Sequence, residues 1–394
     1  MHESGNLRQT ATAGVSLHCH TQYSKENLDF LPHYAKRIPV IAGFFNRECK
    51  LYRKREGRCI DWTTAYWTPP MTPKLVYETE AKQINDAGLD AIVSITDHDC
   101  IEANLAVSSS KAPISMEWTV PFDCGFFHLG IHNMPAERAT EITDTLLTFT
   151  FDPSRHSTKN LDELFAMLEE IPGILIVFNH PLWDIERVGK QMHGKLLADF
   201  LRLHGRWMHA LEINGFRSWS ENKAVIEIAE SLDLPIVAGG DRHGCQPNTI
   251  INISDCGSFD EYAETIRTTK RSDVVLMPAY ERPILSRQLR SFAEIVGHYP
   301  QFADGRQLWM DRIFFDLGDG FGLRSLSEHG MIRGPLWLRL AVRTLGILGN
   351  PKLAVLFRLA RGKADRVPAA FDNEDFVIHE IDDLAGNLSS EPVL

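Results

Sequence analysis

Seven short apolar runs, rich in β-branched residues, recur along the first two thirds of the chain, and each stops at a metal-competent side chain. They are GVSLHCH (14–20), DAIVSITDHD (90–99), PISMEW (113–118), GFFHLGIH (125–132), GILIVFNHP (173–181), HALEING (209–215) and LPIVAGGDRHG (234–244). Most are apolar at both odd and even positions, the pattern of strands covered on both faces in a parallel sheet or barrel. Between several of them the period changes to that of an amphipathic helix. Thr72-Pro73 followed by KLVYETEAKQINDAG reads as an N-cap, a proline at the first helical position, a helical body and a terminating Gly88. STKNLDELFAMLEEIPG (157–173) and SWSENKAVIEIAESLDLP (218–235) read the same way. Strand alternating with helix predicts an α/β fold, and seven such strands predict a TIM-like barrel closure with one strand fewer than the usual eight.

Alternate side chains of a strand share a face, so His18 and His20 point the same way. In barrels of this kind the chemistry sits at the C-terminal ends of the strands. Those ends carry His18/His20, Asp97/His98/Asp99, Glu117, His128/His132, His180, Glu212/Asn214 and Asp241/His243. A lone histidine at a strand end is usually a hydrogen-bonded structural residue. A succession of such ends predicts a centre for divalent ions, and imidazole selects Zn, Mn or Fe over Mg or Ca.

Charge and composition narrow the partners. The formal net charge of -11 leaves no global basic field, so no nucleic-acid partner is expected. Seven cysteines without a CxxC pair suit a reducing compartment. The stretch MHESGNLRQTATAGVS lacks the apolar core of a secretory leader, and no run reaches the roughly 18 apolar residues of a spanning helix, so the expectation is a cytoplasmic protein. A barrel is expected over 14–284, interrupted by an insertion at about 26–71. A helical C-terminal extension and acidic tail are expected over 285–394.

With HCHTQYS, ITDHD, MEW, FHLGIH, NHP, LEIN and GGDRHG in that order, residues 14–250 resemble the PHP (polymerase and histidinol phosphatase) metal-dependent phosphoesterases. The resemblance implies a distorted seven-stranded barrel holding two or three divalent ions, commonly Mn, Zn or Fe. It places His18, His20, Asp241 and Glu117 around one ion. Glu117 would bridge to a second, completed by His128 and His180, while His98 and His243 would serve a third.

Two features depart from that family. The position five residues beyond the second histidine, where the family has Asp or His, is Lys25, whose ammonium has no lone pair to give. Either Glu26, Asp99 or Asp61 takes the role, or the third ion is weak or missing and Lys25 partly replaces its charge. Two well-bound ions are therefore expected. The second departure is the insert, with GFFNRECKLYRKREGRCIDWTTAYWTPP (43–70) emerging from the catalytic end of the first strand. It is either a lid or a basic helix packed on the rim. As a lid, it would offer Arg47, Lys50, Arg53, Lys54, Arg55 and Arg58 to phosphate, and Tyr52, Trp62, Tyr66 and Trp67 to a ring.

The expected reaction is hydrolysis of a small phosphomonoester by hydroxide generated at the ions. Asp99, Arg242 and His243 are the candidate catalytic residues, with Lys25, Arg47, Arg53 and Arg55 as candidate substrate contacts. Asp99 would orient a ligand imidazole or protonate the leaving oxygen; Arg242 would clamp phosphate, although alternation turns it away. Glu212 and Asn214 read either as partners of the ligands or as a buried hydrogen-bonded pair with no catalytic duty, and His132 as a partner of the ligands or, the favoured reading, a loop residue. Cys19, Cys100 and Cys245, beside ligands, read as core fillers. The alternatives are an amide or ester hydrolase on the same barrel, and a non-catalytic metal-stabilised scaffold. Segment 331–364 has Arg and Lys but no Asp or Glu. It reads as a basic amphipathic hairpin meeting a membrane or partner or, the favoured reading, as a helical pair packed on the barrel.

Overall fold

Fourteen strands and ten α-helices are defined among residues 2–3, 11–29, 32, 39–59, 61–107, 112–302, 306–330 and 336–353, which this computed structural model describes. In chain order they begin with β1 (His2–Glu3), β2 (Ala13–Cys19), β3 (Glu26–Asn27), α1 (Pro39–Glu56), β4 (Tyr66–Trp67), α2 (Pro73–Asp86), β5 (Asp90–Val93), α3 (Glu102–Ala106), β6 (Ile114–Phe122) and β7 (Gly125–Met134). There follow α4 (Ala139–Phe151), α5 (Thr158–Glu169), β8 (Leu175–Phe178), α6 (Lys190–His204), β9 (Ala210–Asn214), α7 (Trp219–Ser231) and β10 (Ile236–Arg242). The remainder are β11 (Ile250–Ser254), α8 (Phe259–Thr269), β12 (Asp273–Leu276), α9 (Ile284–Ile295), β13 (Ile313–Asp316), β14 (Leu323–Ser325) and α10 (Leu336–Leu348). The acidic tail 371–394 lies outside the described residues.

The helix signals act as the sequence says. Thr72 accepts the Leu75 N–H at the start of α2, and Ser157 and Ser218 cap α5 and α7 in the same way. Gly88, at φ +86°, ends the α2 turn in a conformation that a side chain disfavours. The apolar faces of α4 to α7 bury against one side of the sheet, with Trp118, Phe165, Phe178 and Phe200 fully enclosed.

The seven ligand-bearing runs are neighbours, in the order β5-β2-β10-β9-β8-β7-β6, within a ten-stranded sheet that continues through β11, β12 and β1. Three features go beyond or depart from the expected architecture. First, the sheet is mixed: β6 and β7 form an antiparallel hairpin across Asp123-Cys124, and β7 also runs antiparallel to β8. A two-residue turn leaves no room for a crossover helix, and Asp123 takes the left-handed conformation (φ +52°) that such a turn needs. Second, among the described residues no continuous ladder runs from β6 to β5. Between β6 and the run that follows β5 there is a single parallel bridge, His98 to Glu117. There the Glu117 N–H donates to the Asp97 carbonyl (3.1 Å) and the Asp99 N–H to the Glu117 carbonyl (2.9 Å).

Third, the C-terminal extension is not wholly helical. Its β13 and β14 join β4 and β3 of the insert in a second, four-stranded sheet, order β14-β13-β4-β3. Tyr66 stacks on Phe314 at 4.8 Å, with Lys25 over the Tyr66 ring and Arg306 over the Phe314 ring. Arg306 also donates to the Gln22 carbonyl (2.6 Å), tying the extension to the loop that follows the first ligand strand. No helix among the described residues is long and apolar enough to cross a membrane.

Candidate metal centre

The first two ligands owe their direction to irregular backbone at the end of β2. His18 sits at φ +62° and its neighbour across the sheet, Asp241, at φ +48°; His180, after β8, is at φ +29°. Such conformations cost a non-glycine residue on the order of 1–3 kcal/mol and persist only where the surroundings impose them. Here the β2/β10 register shifts between Gly239 and Arg242, and the His20 N–H donates to the Arg242 carbonyl (2.9 Å). The result is that His18, His20, Asp241 and His243 converge. Gly239 is required for a further reason: a Cβ there would lie 1.5 Å from Glu212 Oε1.

Glu117 is the hub. Its Oε2 lies 3.1 Å from His18 Nε2, 3.4 Å from His20 Nε2 and 3.1 Å from His98 Nδ1, while Oε1 lies 3.3 Å from His128 Nδ1 and 3.1 Å from His180 Nε2. Asp241 Oδ1 is 3.6 Å from His20 Nε2 and 3.4 Å from His243 Nδ1. Glu26 spans the far side, 3.3 Å from His98 Nε2 and 3.0 Å from His243 Nε2. Three ligand groups follow, with donor atoms within 4.8 Å of one another: His18/His20/Glu117, His98/Glu117/His128 and His20/Glu26/His98/His243.

These residues fit cations. His18 Nε2, His20 Nε2, His98 Nδ1, His128 Nδ1, His243 Nε2 and Glu117 Oε2 are buried and make no hydrogen bond. Buried polar atoms without partners are costly, and a divalent ion is the partner that nitrogen and carboxylate donors share. Electrostatics agree. Burial alone would raise Glu117, yet the imidazoles of His18, His128 and His98 hold its carboxyl well below the usual range. Burial likewise opposes ionisation of Glu26, but His243 and His98 hold its carboxyl well down. His20 is lowered to about 3 by burial and by His243, so it is neutral. His98 is raised to about 10: burial opposes its charge, and Glu26 and Glu117 more than offset that.

An outer ring fixes the imidazoles. His18 Nδ1 meets Glu212 Oε1 at 2.6 Å, and the other Glu212 oxygen accepts the His180 N–H (2.8 Å). Ser24 gives its hydroxyl proton to Glu26 (2.7 Å), so the His20 Nδ1 at 3.1 Å is the donor in that pair, leaving its Nε2 lone pair for the cluster. The Asn179 side-chain amide donates to Glu117 Oε1 (3.0 Å), and that of Asn214 to Glu212 (3.4 Å).

The other candidates are placed as follows. Asp99 accepts the Thr119 N–H (2.8 Å), and Asp97 accepts both the N–H and the hydroxyl of Thr21, so each braces backbone. Burial pushes Asp97 up to about 7. Arg242 turns away from the cluster to Glu80 (2.7 Å) and the Gly244 carbonyl (2.7 Å), as alternation requires. Lys25 is exposed over Tyr66, and Arg47 and Arg53 stand exposed on α1; the Arg55 side chain lies outside the described residues. Asp61 is exposed and accepts from Thr63. His132 is not in a loop: it is buried in β7, 2.8 Å from the Ser94 hydroxyl. Cys19 is buried, with its thiol toward the Ser94 carbonyl.

Sequence reasoning missed Arg217. Its guanidinium lies 3.7 Å from the Trp183 ring centroid, with Nη2 3.6 Å from Asp241 Oδ2 and Nε 3.7 Å from Glu221. Its side chain is only 11% exposed, and Nε and Nη2 make no hydrogen bond. The available signal was position: Arg217 follows LEIN by two residues, at the end of a ligand-bearing strand. Trp183 lies 5.0 Å from His180, and Trp67 of the insert 5.6 Å from His243.

No known family profile matches the chain, and no curated protein matches it. The solved structures to which it is similar include two hydrolases. An amidohydrolase from Chromobacterium violaceum with bound sulfate and no metal is 15% identical, at a TM-score of 0.32, covering 51% of this chain and 93% of its own. A putative metal-dependent phosphoesterase from Bifidobacterium adolescentis is also 15% identical at a TM-score of 0.32, covering 50% of this chain and 92% of its own. Overlaps of this extent carry no chemistry across, and the chemistry rests on this chain's own side chains.

Proposed function

We propose that the protein is a metal-dependent phosphoesterase of the PHP type, with its seven ligand strands acting as a distorted barrel, and that it hydrolyses a small phosphomonoester. The observation that carries the reading is Arg217, a buried guanidinium with unused N–H donors beside Asp241 and the ligand groups. A phosphate ester brings non-bridging anionic oxygens that need such a donor; a neutral amide or ester does not.

Two or three ions of Mn, Zn or Fe would lie between His18, His20, Glu117 and Asp241, between Glu117, His128 and His180, and between Glu26, His98 and His243. When bound they supply Lewis acidity and lower the pKa of water toward neutrality. The chain's residues do the rest. Arg217, its plane held on Trp183, binds a phosphate oxygen. Glu212 fixes the ring of His18, and Ser24 keeps the proton of His20 on Nδ1. Trp67 and Trp183 wall the mouth on its His243 and His180 sides.

The test is phosphate release from a panel of phosphomonoesters by protein loaded in turn with Mn, Zn or Fe, beside a panel of esters and amides. Release from one or more phosphomonoesters is expected, with a loss on the order of 10²–10³ in Arg217→Ala. Hydrolysis confined to the carbonyl substrates, or ions bound with no hydrolysis at all, would overturn the reading in favour of the amide or ester hydrolase or the scaffold.

A further inference from the structure

Among the described residues of segment 331–364, α10 leaves an apolar face exposed. Along α10, Leu340 is 52% exposed and Ile347 63%, and Leu348 is exposed as well. Leu340 and Ile347 are seven residues apart and share a face, with exposed Arg339 and Arg343 along its edge. Among the described side chains of α10, the half-buried ones are Val342 and Leu345 on the opposite side, where α10 lies against α9. Helix α9 itself exposes Leu285 and Phe292, again seven residues apart.

The charge of this surface is as unusual as its exposure. Segment 331–364 carries seven Lys and Arg and no Asp or Glu, in a chain whose formal net charge is -11. An exposed apolar stripe bordered by arginines, on a helix of 13 residues, is too short to span a bilayer and suited to lie in its interface. We propose that α10 docks the protein on an anionic lipid surface, with Leu340 and Ile347 entering the headgroup boundary and Arg339 and Arg343 meeting lipid phosphates. The complementary charge singles out this occupant: the basic edge matches anionic lipid and repels a second copy of itself.

The test is co-sedimentation of the full-length protein with vesicles of phosphatidylcholine alone and of an equal mixture of phosphatidylcholine and phosphatidylglycerol. Binding to the mixed vesicles is expected, weakening as salt rises, with little binding to phosphatidylcholine. Reversing both charges, as Arg339→Glu with Arg343→Glu, should lower affinity at least about tenfold. Leu340→Asp with Ile347→Asp should lower it comparably at low salt, and circular dichroism should show both variants folded, since all four side chains are exposed. No binding to mixed vesicles, equal binding to both kinds, or unchanged binding by both variants would overturn the proposal. So would a dimer that these variants dissolve. Residues 371–394 have seven Asp and Glu and no Lys or Arg. Binding that emerges only after their removal would assign the surface to that tail instead, and would equally overturn it.

Discussion

Two buried polar clusters share the end of β10, and they differ in how their charges are answered. In one, Glu80 is answered from within by Arg242, Ser16 and Asn248, with only Arg242 Nη2 and Asn248 Oδ1 left unpartnered at its edge. Arg242 Nε donates to Glu80 (2.7 Å), and both Glu80 oxygens accept the Asn248 N–H (3.1 Å each). The Ser16 hydroxyl gives its proton to Glu80 (3.0 Å), and the Asn248 amide donates to Ser16 (2.8 Å). In the other, around Glu117, six donor atoms face one another without a hydrogen bond. Strand β10 supplies Arg242 to the first and Asp241 and His243 to the second. A cluster whose carboxylate is answered by its own neighbours holds the fold; one in which histidine nitrogens and the central carboxylate oxygen all converge without a hydrogen bond is built for something added later.

The contrast is broken most forcefully at its hub. Glu117→Ala should remove the carboxylate common to two ligand groups, abolishing ion binding and activity while circular dichroism stays native. Elemental analysis of the purified variant reads this directly, and full metal content would sink the assignment. Glu80→Ala attacks the first cluster and should do the reverse. It leaves Arg242 buried without its carboxylate, at a cost of about 3–5 kcal/mol, visible as a lower urea midpoint. Should it strip ions yet spare stability, the two clusters are not separate.

A milder change sharpens the comparison. Glu212→Gln keeps the shape beside His18 but removes its charge, and metal affinity should fall about 10–100-fold in a competition titration. Proton release is a further readout. In ion-free protein His98, raised to about 10, holds its proton at neutral pH, so uptake of Zn or Mn must displace it. A pH indicator should report acidification on loading, and affinity should weaken as pH falls because protons then compete for the imidazole. The smallest effect is expected at Lys25→Asp. Glu26 already spans His98 and His243, so metal content should not change; added ions would mean that Glu26 falls short of the role.

The ligands were legible because strand and chemistry are both local signals. A β-branched run says where a strand ends, and His, Asp or Glu at that end says what it offers. The caps of α2, α5 and α7 were legible for the same reason. What escaped depends on partners distant in sequence. Asp123-Cys124 lacks the usual hairpin dipeptides, so GFFHLGIH read as another parallel strand. Burial of His132 is decided by Ser94, and that of Arg217 by Trp183 and Asp241. Lys25 looked like a lost ligand because one residue of shift was enough to bring Glu26 to the place. For α10, apolar content predicts burial without naming a neighbour, and its described side chains are half-buried only toward α9.

The small sheet has a consequence for the order in which the molecule can be finished. On the ribosome, Trp67 and Tyr66 emerge early, but their strand partners Ile313 and Phe314 emerge only when most of the chain has been made. Until then every histidine of the cluster is already synthesised, while the wall that sets Trp67 beside His243 still lacks its outer strand. The wall beside His243 is therefore complete only once the chain has passed β13, well beyond the last histidine of the cluster.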